Sequence, residues 1–117
     1  MGIIINLENN LRKTWVLALE AGVDLGLLQG GGHPSFTLEV PKDKRNGNYA
    51  TNIAMVAAKG EKKNPRELAI LFVELFKQVD KDSLIDRIEI AGPGFINLYL
   101  KEDYLGDIVL EAIKEKN

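Results

Sequence analysis

Two runs of alternating apolar and polar residues, Ile85 to Ala91 and Phe95 to Lys101, are separated only by Gly92-Pro93-Gly94. So short a connection admits one arrangement, an antiparallel β-hairpin turning at the proline. The alternation then sorts the side chains: Ile96, Leu98 and Leu100 point one way, and Phe95, Asn97 and Tyr99 the other. On the partner strand Ile88 and Ile90 join the aliphatic side, while Arg87 and Glu89 join the ring and amide side. A hairpin with one such aliphatic face is unstable alone, so amphipathic helices must cover it.

Those helices are legible. From Leu7 to Leu19 the residues Leu7, Leu11, Trp15, Ala18 and Leu19 recur at helical spacing. Gly22, Gly26 and the run Gly30 to Gly32 before Pro34 predict that this helix stops early and passes into a loop. Ser35 to Val40 alternates as a strand, with Phe36, Leu38 and Val40 on one side, and Pro41 ends it. Lys42 to Asn48 reads as a solvated loop whose Asn46-Gly47 pair favours a tight turn. Asn48 is expected to cap a helix starting near Tyr49, with Ala50, Ile53, Ala54, Ala57 and Ala58 as its stripe and Gly60 as its end. Asn64, Pro65 and Glu67 stand at the cap, first and third positions of another helix. Leu68, Leu71, Phe72, Leu75 and Val79 form its buried face, widened by Ile70, Val73 and Phe76. Asp103 is expected to open a last helix with the stripe Leu105, Ile108, Val109, Ala112 and Ile113. The expected architecture is a two-layer α+β fold: an antiparallel or mixed sheet of three or four strands, with about four helices on one face. A chain of 117 residues with 45% hydrophobic content suits one core, so residues 1–117 are expected to form a single domain.

Composition narrows the chemistry. Fifteen Lys and Arg against 17 Asp and Glu give a formal charge of -2, which excludes a uniformly basic coat for nucleic acid and leaves room only for a local patch. With no cysteine there are no disulfides or thiolate metal sites, which suits a cytoplasmic setting. The opening residues carry too short an apolar run for a signal sequence or a membrane span.

His33 is the only histidine, and a metal site built around it would need carboxylates at a spacing the sequence does not show. Gly30-Gly31-Gly32-His33 lacks the strand before it and the Lys-Ser or Lys-Thr after it that a phosphate-cradling loop requires. Asp80 with Asp82, and Glu102 with Asp103, sit where acids cap helices. The better candidate is the outward face of the hairpin. An aromatic ring stacks on any nucleobase, and a neighbouring carboxamide both donates and accepts at a base edge. The plainer reading is that Phe95 covers the turn and Asn97 ties backbone groups. Two basic clusters, Lys42, Lys44, Arg45 and Lys59, Lys62, Lys63, Arg66, have the residue types that position phosphates and equally those of an ordinary solvated surface.

Val40-Pro41-Lys42-Asp43-Lys44-Arg45-Asn46-Gly47-Asn48-Tyr49-Ala50-Thr51-Asn52-Ile53-Ala54 closely resembles the Pro-x-x-x-x-x-Gly-Asp-Tyr-Ala-Thr-Asn stretch of arginyl-tRNA synthetases. Ala91-Gly92-Pro93-Gly94-Phe95-Ile96-Asn97 is similar to the Gly-Pro-Gly-Phe-Ile-Asn stretch of the same domain. With Asn64-Pro65-Arg66 between them, the likeness runs from about Phe36 to Tyr104. It implies the family's amino-terminal additional domain, which contacts the elbow of tRNA and particularly the D-loop. An aromatic and an amide that hold a D-loop nucleotide carry over onto Phe95 and Asn97. Tyr99 and Arg87 on the hairpin, and Lys42, Lys44, Arg45, Asn48 and Tyr49 in the loop motif, complete the candidate contacts. Asn48 departs from the family's usual Asp.

The resemblance implies tRNA(Arg) and the catalytic body of the synthetase as partners, with neither membrane nor DNA. The parent would be an arginine-tRNA ligase using ATP and magnesium. The His-Ile-Gly-His and Lys-Met-Ser-Lys-Ser type signatures that hold ATP are absent from this sequence. The chain alone is therefore expected to need no cofactor and to catalyse nothing, and its end just after the fourth expected helix reads as the edge of a fragment. One rival reading is an inter-domain or protein-interaction module that presents Phe95 and Tyr99 to a protein partner. Another is a small free-standing enzyme centred on His33.

Overall fold

The computed structural model describes residues 3–30, 35–81 and 84–101, with backbone alone for residues 3–6. The chain runs α1 (Ile3–Asp24), β1 (Leu38–Glu39), a 3-10 turn (Lys44–Asn46), β2 (Tyr49–Thr51), α2 (Ile53–Glu61), α3 (Pro65–Val79), β3 (Ile85–Ala91) and β4 (Phe95–Leu100). The four strands form one antiparallel sheet in the order β1-β2-β4-β3. This is the α+β fold that the residue pattern predicts, with three α-helices among the described residues. The fourth expected helix, together with His33, Asp82, Glu102 and Asp103, lies outside them.

The hairpin closes as expected, with Ala91 opposite Phe95 and Ile90 opposite Ile96. Ile96, Leu98 and Leu100 are buried, facing α2 and α3. α3 starts where its capping residues place it: the Asn64 side-chain oxygen accepts from the backbone N–H groups of Arg66 at 2.8 Å and Glu67 at 3.3 Å. Such a cap stabilises a helix by about 1 kcal/mol. Phe72, Leu68 and Leu75 are fully buried from α3, and Trp15 from α1 packs its ring 4.5 Å from that of Phe76. α1 and α2 both pack on α3, making α3 the centre of the helical layer.

Four boundary expectations are corrected. α1 continues through Gly22 to Asp24. A carbon added at Gly22 would stand 2.5 Å from Leu28 Cδ1, so the glycine admits the returning loop and does not end the helix. Gly60 lies inside α2, which ends at Glu61 and is capped by Lys62 in the left-handed region (φ 56). Val40 is 65% exposed and Ile70 58% exposed, because β1 spans only two residues and the buried face of α3 is narrower than its apolar content suggests.

The largest correction concerns Asn48 and Tyr49. Tyr49, Ala50 and Thr51 form β2, and the helix begins at Ile53. Asn48 caps no helix: its N–H donates to Leu98 O at 2.8 Å and its Oδ1 accepts from Leu100 N at 2.8 Å. Asn52 and Thr51 divide the duties at the helix start. Asn52 Oδ1 accepts from Thr37 N at 2.8 Å, and Thr51 Oγ1 accepts from Ile53 N at 3.2 Å. Satisfying strand and loop donors in this way outweighed local capping preference.

Candidate nucleic-acid interface

The sheet register sorts its outward face into rungs. Glu39 on β1 stands opposite Ala50 on β2, Ala50 opposite Asn97 on β4, and Asn97 opposite Glu89 on β3. Ala50 contributes only a methyl to this rung, so the sheet is shallow between Glu39 and Asn97. The result is an open groove of about 240 Å³ lined by Glu39, Pro41, Asn46, Ala50, Ala91, Phe95 and Asn97.

Phe95 borders the groove with its residue 43% exposed, unusual for a phenyl ring. Asn97 is not in solvent beside it, as the strand alternation predicts, but is only 6% exposed. Strand pleating decides the side a residue faces; the loop from Pro41 to Asn46, lying over the sheet, decides whether that side is covered. Among the described residues the Asn97 carboxamide makes no hydrogen bond, and the one fully buried side-chain polar atom without a partner there is Trp15 Nε1. The Asn97 amide therefore keeps its donors and acceptor open at the floor of the groove.

The other end of the hairpin face is closed by its own contacts. The Arg87 guanidinium lies 4.0 Å from the centre of the Tyr99 ring and its Nε 3.2 Å from Glu89 Oε2. The Tyr99 hydroxyl donates to Arg45 O at 2.5 Å and stands 3.2 Å from Glu89 Oε1. One face of the tyrosine ring is thus covered by Arg87, whose own charge is matched by Glu89.

The basic loop is stitched to the hairpin from beneath. Gly47 adopts φ +98, and a carbon there would meet Leu98 O at 2.7 Å, so only glycine permits this approach of loop to strand. Lys42, Lys44 and Arg45 are exposed on the loop. Arg45 Nη2 lies 2.7 Å from Asp43 Oδ2. This contact, followed by the Arg45 backbone N–H, holds the Asp43 carboxyl below its usual range and raises the Arg45 guanidinium. Tyr49 is buried on the opposite side of the sheet with its hydroxyl 3.5 Å from Glu8 Oε1, away from the groove.

In the second cluster, Lys63 donates to Leu27 O at 3.3 Å and Arg66 to Gly92 O at 2.7 Å, so two of its cations are already engaged with backbone carbonyls. The structure therefore gathers Phe95, Asn97 and the loop motif around one groove and leaves Tyr49 out. Glu39, Asn46 and Ala50 line it without having been singled out in the sequence. For Ala50 the signal was the strand run Tyr49-Ala50-Thr51, three residues long and too short to show a period.

The two motifs thus converge through space: the loop reaches the hairpin by Asn48 and Gly47, and the groove opens between them. Residues 7–100 match the family described as "Arginyl tRNA synthetase N terminal domain". The chain belongs to this family. It is 42% identical over 112 residues to the protein named "Arginine--tRNA ligase" of Staphylococcus aureus strain JH9, covering 95% of this chain and 20% of that protein. The same values hold for the protein of that name in strain COL. The chain thus spans about a fifth of the length of these relatives. Among solved structures, arginyl-tRNA synthetase from Plasmodium falciparum superposes with a TM-score of 0.65 at 13% identity, over 85% of this chain and 17% of that one. At that identity the likeness establishes the fold. Among the described residues of this arginyl-tRNA synthetase domain, no helix is long and apolar enough to cross a membrane.

Proposed function

We propose that this domain holds the D-loop at the elbow of tRNA(Arg) in the groove between Phe95 and Asn97. It thereby places the tRNA on the catalytic body of an arginine-tRNA ligase, which joins arginine to tRNA with ATP and magnesium in the cytoplasm. The domain's contribution is positional, and the chemistry resides elsewhere. The observation that carries this reading is an exposed phenyl ring bordering a groove whose floor holds a carboxamide with no protein partner. Stacking on such a ring is worth roughly 1 to 3 kcal/mol per base. A low-lying amide screened from bulk water gains more from a base edge than an exposed one.

No lysine or arginine among the described residues lines the groove, and Glu39 does. A neutral base fits there better than a phosphate, which is left to Lys42 and Lys44 on the loop above. So few cations imply weak binding with a shallow dependence on salt.

Titration of the isotope-labelled 117-residue chain with tRNA(Arg) tests this. The Asn97 side-chain amide and the Phe95 backbone amide are expected to shift first and most in the nitrogen-proton spectrum. Shifts confined to α1, or Phe95→Ala binding tRNA as well as the unaltered chain, would turn the reading towards a protein-packing module.

A further inference from the structure

The turn that presents Phe95 is poorly held by itself. Its closing bond, Gly94 N–H to Ala91 O, is 3.3 Å long, at the weak end of the range. Gly92 and Gly94 sit at φ +54 and +142, where glycine is at home but little held by its own preference, so within the turn only the Pro93 ring restricts the backbone. What fixes it is the first turn of α3. Arg66 Nη1 donates to Gly92 O at 2.7 Å. A carbon built at Gly94 would lie 3.1 Å from both Cβ and O of Pro65, so the turn rests against that residue. Gly92 in its turn adjoins the ring, since a carbon built there would be 4.0 Å from Phe95 Cδ2. Pro65 and Arg66 do not move easily, because Asn64 caps them and Leu68, Ala69 and Phe72 bury the helix just beyond.

We infer that Arg66 is a positioning residue for RNA binding: its bond to Gly92 O locks the Gly92-Pro93-Gly94 turn onto α3 and so holds the Phe95 ring at the mouth of the groove. The inference rests on the reading of Phe95 as the stacking residue. The physical gain is preorganisation. A two-glycine turn left free would have to be ordered when a base stacks, and that entropic cost would be taken from affinity. The charge on the guanidinium strengthens the bond to a neutral carbonyl, and its planar fork loses little further freedom in making it.

The test compares Arg66→Ala, Arg66→Lys, Phe95→Ala and the Arg66→Ala/Phe95→Ala double variant of the full chain. Affinity for tRNA(Arg) is measured alongside the unfolding midpoint followed by Trp15, the only tryptophan and fully buried. Arg66→Ala is expected to weaken binding on the order of tenfold by loss of preorganisation, with the midpoint little changed and the Phe95-to-Gly92 proton contact in the free protein weakened. Arg66→Lys should recover part of the loss. The double variant should bind no more weakly than Phe95→Ala alone, because Arg66 acts through the ring. Unchanged binding and an unchanged Phe95-to-Gly92 contact in Arg66→Ala would overturn the inference while leaving the stacking reading intact. An equal further loss in the Phe95→Ala background would overturn it too, showing that Arg66 touches the RNA itself. Should Phe95→Ala alone cost nothing, the stacking reading fails and the inference with it.

Discussion

Two stretches of one strand, two residues apart, meet opposite fates. At Phe95 and Asn97 the outward face of β4 opens into a groove with unspent hydrogen-bonding capacity. At Tyr99 the same face is closed: Arg87 lies over the ring, Glu89 pairs Arg87, and the hydroxyl is bonded to the loop. Strand alternation treats these residues alike. Their difference shows that pointing outward and being available to a ligand are separate properties, the second set by what the neighbouring strand and loop supply. Phe95 faces Ala91, which offers nothing to cover it, whereas Tyr99 faces an arginine.

The sharpest way to break this contrast is Phe95→Ala. Removing one stacked ring should weaken tRNA(Arg) binding roughly 5- to 150-fold, the equivalent of about 1 to 3 kcal/mol. Thermal unfolding should move little, since the ring is 43% exposed. Equal losses of binding from Phe95→Ala and Tyr99→Ala would erase the distinction between the two stretches.

Asn97→Ala comes next. Because the amide has no partner within the described residues, the substitution should hardly lower stability, yet cost about 0.5 to 1.5 kcal/mol of RNA affinity for a lost hydrogen bond. A large drop in the unfolding midpoint would mean that Asn97 serves the fold.

Tyr99→Phe should do the reverse. It deletes the bond to Arg45 O, lowering stability by about 1 kcal/mol in urea titration while leaving RNA affinity within a factor of two or so.

The smallest effect concerns acid. The lowered Asp43 carboxyl means that its contact with Arg45 contributes stability above the usual carboxylate range, lost as pH falls through the still lower folded value. Monitored by carbon NMR, Asp43 should titrate below its usual 3.8 in the unaltered chain and return towards it in Arg45→Ala. Equal titration in both proteins would remove Arg45 as the cause.

Much of the fold was legible because its signals are local. Asn64-Pro65-x-Glu67 carries the cap, proline and acid of a helix start within four residues, and Gly92-Pro93-Gly94 between two alternating runs points to a hairpin. The errors arose where a local preference met a distant partner. Asn48 has a good capping side chain, but Leu98 and Leu100, some fifty residues on, had backbone groups to satisfy. Gly22 lowers helix propensity by about 1 kcal/mol, a cost that burial of the residues around it readily exceeds, and Leu28 uses the space it leaves.

By itself the sequence determined which residues of β4 share a side, where α3 begins, and that Phe95 and Asn97 belong to one face, because a period of two and a capped helix start follow from bonds within a few residues. Only the tertiary structure decided that Asn97 forms the floor of a groove, that Arg87 closes over Tyr99, and that Arg66 reaches Gly92. Each of these depends on groups meeting across elements: Arg66 and Gly92 stand 26 residues apart, and the loop beside Asn97 lies farther from it still. Periodicity carries no information about such meetings.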